Sequence, residues 1–157
     1  MKVSTKGRYG LLAMIDIAAH QSRGSVSLRS VAERNNLSEN YLEHLLSTLR
    51  KAGLVRSIRG AQGGYVLAKP PDSITMGDIL RTLEGSMSPV DCLPADPERG
   101  NPGCDSCVTR PVWQKMYNSL NDILDSTKLG DLADRYSRSS EPSTEAQTLQ
   151  HLTNAAE

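Results

Sequence analysis

The chain has 157 residues, enough for one ordinary domain with a hydrophobic core and a small appendage. Its formal net charge is zero, yet residues 1–70 hold eleven Lys and Arg against four acids, a local charge of +7 that the remainder cancels with −7. No apolar run approaches bilayer-spanning length and the start, "MKVSTKGRYG", lacks a signal-peptide core, so membrane and secreted classes are set aside and a cytoplasmic location is expected.

The predicted elements follow in chain order. Residues 9–21, "YGLLAMIDIAAHQ", carry helix formers with little polar surface and predict a buried helix. After the break "SRGSV", Ser27 is placed to cap a second helix with Leu28, Val31 and Ala32 on one face. Ser38 caps a third, "ENYLEHLLSTLRKAG", whose Leu42, Leu45, Leu46 and Leu49 recur at helical spacing until Gly53 ends it. Two strand-like runs, "LVRSI" and "GYVLA", flank the glycine-rich "RGAQG" and predict a β-hairpin. Thr75 and Asp78 form a capping-box pattern for the helix "MGDILRTLE", closed by Gly85.

Residues 86–111 read as a Pro-rich loop, and residues 112–127 as a long amphipathic helix with Val112, Met116, Leu120, Ile123 and Leu124 on one stripe. A winged helix alone has little core left to cover that stripe, so it is expected to pair with a second copy of the chain. Thr127 is expected to cap a last short helix containing Leu129 and Leu132, and residues 137–157 to form a disordered polar tail. The expected fold is therefore mainly α with a small β-hairpin wing. A winged helix-turn-helix occupies 1–85, a cysteine-bearing loop 86–111, and the dimerisation helix with the terminal helix 112–136.

On the third helix Asn40, Glu43, His44 and Ser47 lie at i, i+3, i+4 and i+7, opposite the leucines. Asn can bond adenine bidentately, Glu can accept from cytosine N4, and His and Ser can bond either kind of edge. Tyr41 is placed for a phosphate or sugar contact, and Arg50, Lys51 and Arg56 for positioning charge. Arg59, beside Gly60 at the hairpin tip, suits a narrow minor groove. Together with the +7 charge, the order of elements points to double-stranded DNA as partner. The same face on an ordinary solvated helix explains each residue singly but not that order. No nucleophile–base constellation, P-loop or dinucleotide fingerprint is present, so no enzyme is expected.

All three cysteines, Cys92, Cys104 and Cys107, fall in sixteen residues. A Cys-x-x-Cys pair with a third thiol returning across a Pro/Gly loop suits an iron–sulfur cluster, and zinc accepts the same geometry. A thiol switch is the third option, whereas a thiol oxidoreductase lacks its usual βαβ setting.

"STKGRYGLLAMIDIA", "LSENYLEHLLSTLRKAGLV" and "SIRGAQGGYVLAKPPDSITMGDIL" resemble the winged-helix regulator family that includes IscR, NsrR and CymR, in family order over about residues 1–135. The first half looks closest to CymR-type members, while "SPVDC" and "CVTRPVWQKM" are similar to the IscR-type cluster loop and dimer-helix start. The resemblance implies a homodimeric transcription factor, a [2Fe-2S] cluster on Cys92, Cys104 and Cys107, and Fe–S delivery proteins as partners. IscR-type members often supply a histidine three residues past the last cysteine; here that position is Arg110, which cannot coordinate. Glu43 is the favoured fourth ligand, because a glutamate facing the groove repels phosphates and capture by a cluster would remove that penalty and change DNA choice. His44 is the runner-up, and an exogenous group is an equal alternative to Glu43. His20, read as buried, His151 and the loop acids Asp91, Asp96, Glu98 and Asp105 rank lower.

Overall fold

The structure is a computed structural model; it describes residues 3–91, 93 and 107–140. Helix α1 spans Thr5–His20, α2 Leu28–Asn35 and α3 Glu39–Lys51; strands β1 and β2 span Val55–Ile58 and Gly64–Leu67; α4 spans Met76–Glu84, α5 Arg110–Ser126 and α6 Leu129–Ser140. The order is that of a winged helix-turn-helix followed by a long helix and a return helix, as the sequence predicts.

Local chemistry sets most boundaries. The Ser27 and Ser38 side chains accept from the backbone N–H of Ser30 and Tyr41, supplying caps for α2 and α3. Thr75 and Asp78 exchange both bonds of a capping box at α4. The α2–α3 turn passes through Asn36 at φ 52°, left-handed backbone that Asn tolerates better than most side chains. Leu42, Leu45, Leu46 and Leu49 are buried on the inner side of α3, against Ala13, Met14 and Ile17 of α1 and Ile79 and Leu83 of α4. At Gly10 an added Cβ would strike the Leu83 side chain, so α1 and α4 pack closely because that position has none.

Three boundaries depart from the sequence reading. Helix α1 begins at Thr5 rather than 9, because Ser4 caps it and Glu84 of α4 accepts from the Gly7 N–H at 2.8 Å. Helix α5 begins at Arg110, with Pro111 in the first turn, where its missing N–H costs nothing. Helix α6 runs to Ser140, beyond the expected start of the tail at 137; Ser137 and Ser139 donate to the carbonyls of Ala133 and Tyr136. Thr127 does not cap α6: its hydroxyl donates to the Ile123 carbonyl at the end of α5. Residues 141–157 lie outside the described residues.

Asp16, wholly buried in α1, ties three helices together. It accepts from Arg34 Nε at 2.9 Å and Nη2 at 2.5 Å, from Asn35 Nδ2 at 3.1 Å, and from the Tyr136 hydroxyl of α6 at 3.3 Å. The hydrogen bond to Asp16 holds the Arg34 guanidinium further into its charged form. Burial, with the Asp16 charge behind it, pushes the Tyr136 phenol up. His20, expected on the buried face, is one-third exposed, and its Nδ1 lies 2.8 Å from the Asp16 carbonyl.

Among the described residues, helix α5 is packed mainly at its C-terminal end. Leu124 and Leu120 pack with Leu80, Met76 and Met87, and Arg81 of α4 pairs with Asp125. Toward its start, Val112 and Met116 are 58% and 50% exposed, and Ile123 is 61% exposed. These three line an apolar groove with Trp113, Leu120 and Val90.

Candidate nucleic-acid interface and cysteine site

The hairpin pairs Val55 with Leu67 and Ser57 with Tyr65, so these four side chains share one face. Val55 and Leu67 are buried in the core, which directs Ser57 and Tyr65 along the same face toward α3. The β2 backbone is anchored from behind: Val26 and Tyr65 exchange both N–H···O bonds, at 2.9 and 2.8 Å, and Ser25 donates to the Gln62 carbonyl at 2.5 Å. Gly64 is required here because a Cβ would strike the Val26 carbonyl oxygen.

Between α3 and this hairpin lies an open depression lined by Asn40, Glu43, His44, Ser47, Arg50 and Tyr65. The structure thus brings together the four residues read as base-facing, on the side of α3 opposite the buried leucines. Arg50 joins them and reaches across to the Ser57 hydroxyl at 3.4 Å. Tyr41 is at the edge of this surface, edge-on to Tyr9 at 6.3 Å between centroids, with the Arg8 guanidinium 5.2 Å from the Tyr9 ring. Lys51 and Arg56 are exposed, and Arg59 is exposed at the hairpin tip beside Gly60, whose φ of 113° makes the turn. Sequence reasoning missed Tyr65. The signal was available in the hairpin register, since a residue opposite Ser57 must share its face.

At the other site only Cys107 falls within the described residues; Cys92 and Cys104 lie outside them. Its Sγ is 3.1 Å from the Thr109 Oγ1, and the Trp113 Nε1 is 3.1 Å from that same oxygen. An indole N–H can only donate, so the Thr109 oxygen accepts from Trp113, and when Cys107 is a thiolate the Thr109 hydroxyl is the donor to its sulfur. That bond, with backbone N–H groups of Thr109 and Arg110 and the Arg110 charge, holds the Cys107 thiol below the usual range. Among the described residues no three His, Cys, Asp or Glu side chains gather as a metal-holding group. Glu43 and His44 belong to the depression beside the wing.

The model of the Rrf2 family, described as iron-dependent transcriptional regulators, matches residues 3–135. The chain belongs to the Rrf2 family. It is 53% identical over 133 residues to the HTH-type transcriptional regulator CymR of Bacillus subtilis, covering 85% of this chain and 90% of that one. The solved structure of that global cysteine regulator superposes with a TM-score of 0.73 at 51% identity, over 86% of this chain and 98% of that chain. The regulator IscR of Aliivibrio salmonicida is 39% identical over 84% of this chain and 77% of its own length. The structure of T. potens IscR gives a TM-score of 0.72 at 48% identity, over 90% and 93%. This Rrf2 chain is accordingly a DNA-binding winged-helix transcriptional regulator and not an enzyme. No helix among its described residues is long and apolar enough to cross a membrane.

Proposed function

We propose that this Rrf2 regulator is a cytoplasmic homodimer that reads DNA with the α3 face and senses iron–sulfur or redox status through a cluster, of [2Fe-2S] type, held by Cys92, Cys104 and Cys107. The observation that carries the cluster is the confinement of every cysteine to sixteen residues ending at α5. Cys107 supports this reading: the Thr109 hydroxyl and nearby backbone N–H groups favour its thiolate, the form that binds iron. When bound, the cluster supplies a centre that oxidants and nitric oxide can alter. The protein's part is to hold the sulfurs and to connect them to α5, whose exposed Val112, Met116 and Ile123 suit a second copy of the chain.

On DNA, Asn40, Glu43, His44 and Ser47 read base edges in the major groove, Tyr41 and Lys51 contact the backbone, and Arg59 enters the minor groove. The fourth cluster ligand is Glu43 or an exogenous group, with His44 as the runner-up. Cluster spectra and DNA preference that both survive Glu43→Ala exclude Glu43. The deciding experiment is anaerobic purification of the full chain, followed by iron, sulfide and zinc analysis and an absorption spectrum. Stoichiometric iron and sulfide with visible charge-transfer bands are expected.

A second reading is favoured by the 53% identity to CymR. On it the same cysteines bind zinc or act as a thiol switch in a regulator of cysteine metabolism. Zinc in place of iron, or no metal with reversible cysteine oxidation, would select it.

A further inference from the structure

We propose that Tyr65 and Arg50 clamp one phosphate of the DNA strand that runs between the recognition helix and the wing. The inference rests on the DNA-binding mode proposed above and adds to it a contact that the base-facing residues do not provide.

With α3 in the major groove and Arg59 in the adjoining minor groove, the surface between them must be crossed by the sugar–phosphate strand that separates the two grooves. The depression occupies that position, bounded by α3 on one side and β2 on the other. Its two ends differ in charge. Glu43 and Arg50 are seven residues apart on one helix face, about 10 Å at 1.5 Å per residue, so a phosphate beside Arg50 is displaced from the repelling carboxylate by two helical turns. One guanidinium N–H of Arg50 goes to Ser57, which aims the group across the gap, and further donors of the fork remain.

Tyr65 supplies the opposing jaw. Its backbone is pinned by both bonds to Val26, and its ring packs against the core beside Leu67. Its phenol hydroxyl has no hydrogen-bond partner among the described residues. A rigid ring carrying a free O–H, opposite a guanidinium already aimed by Ser57, is a preorganised site for an anionic oxygen. The clamp reads position and carries no sequence information.

The test uses the full-length protein and a duplex enriched by the wild type from a random pool, with an unrelated duplex of equal length as control. Tyr65→Phe keeps the ring and removes only the hydroxyl, so its melting temperature should match the wild type. It should weaken binding to both duplexes by a similar factor, about threefold to tenfold, with the salt slope unchanged. Arg50→Gln should weaken both and lower the magnitude of the salt slope by about one. A neutral methylphosphonate at the clamped position should abolish the difference between Tyr65→Phe and wild type. Tyr65→Phe binding within twofold of wild type overturns the clamp, and so does a loss confined to the enriched duplex, which would make Tyr65 a base reader. If the wild type enriches no duplex at all, the DNA-binding mode fails and the clamp with it.

Discussion

Helices α3 and α5 are both amphipathic, and they end in opposite situations. In α3 the stripe Leu42, Leu45, Leu46 and Leu49 is fully covered by α1 and α4, and the polar side is left outward. In α5 only Leu124 is buried, while Val112, Met116 and Ile123 remain half exposed or more. The first helix is completed by its own chain, and its surface is free to meet a polyanion. The second is anchored at its C-terminal end by Leu80, Met87 and Arg81 and has an apolar flank that the described residues do not cover. The same periodicity in sequence therefore serves two purposes, and what distinguishes them is the number of neighbouring elements available to each stripe.

That contrast can be broken deliberately. The largest effect is expected beside α3, where Arg34→Met leaves the buried Asp16 carboxylate without its permanent cation, with only the His20 imidazole 3.5 Å away. It should cost about 3–5 kcal/mol in urea unfolding, with Asn35 and Tyr136 unable to compensate. Leu46→Ala opens the α3 core and should cost about 2–5 kcal/mol by the same measurement, at any protein concentration. Ile123→Asp sharpens the comparison: analytical ultracentrifugation should show a dissociation constant for the dimer raised at least about tenfold. A monomer that keeps the wild-type fold and a dimer that keeps the wild-type affinity are the two opposite outcomes.

The smallest effect concerns Cys107, in a chain whose other two cysteines are serine. Because the Cys107 thiol is lowered, its thiolate should form at lower pH than that of free cysteine, and alkylation should level off earlier as pH rises. Thr109→Val removes the first cause, so the midpoint should move up and the rate at neutral pH should fall about threefold. An unchanged alkylation profile would mean that the Thr109 hydroxyl does not reach the sulfur in solution.

What could be read from the sequence was what is locally determined. Ser27, Ser38 and the Thr75–Asp78 pair announce helix starts within one turn of themselves, and Gly53 and Gly85 announce ends. The polar side of α3 follows from helical spacing alone, and the depression gathers Asn40, Glu43, His44 and Ser47 on it. The start of α1 was not legible, because Thr5 to Arg8 look polar and the carboxylate that satisfies the Gly7 N–H belongs to Glu84, in α4. The end of α6 was hidden for a related reason: a serine-rich segment resembles a tail unless its hydroxyls return to the helix carbonyls. Asp16 is one acid in an apolar stretch of sequence, and its partners come from α2 and α6. Tyr65 needed the hairpin register, which composition does not supply.

The two hydrogen bonds between Val26 and Tyr65, with Ser25 on Gln62 and Leu67 on the Gln21 side chain, tie the wing to the body of the domain. On the proposed DNA-binding mode, the reach from α3 to Arg59 works as a caliper. It compares that length with the rise and rotation separating a major groove from the minor groove beside it. Duplexes that are overwound or underwound must deform to fit, at an energetic cost that depends on their sequence. On that mode, the twist of the duplex enters the energy of binding alongside its base sequence.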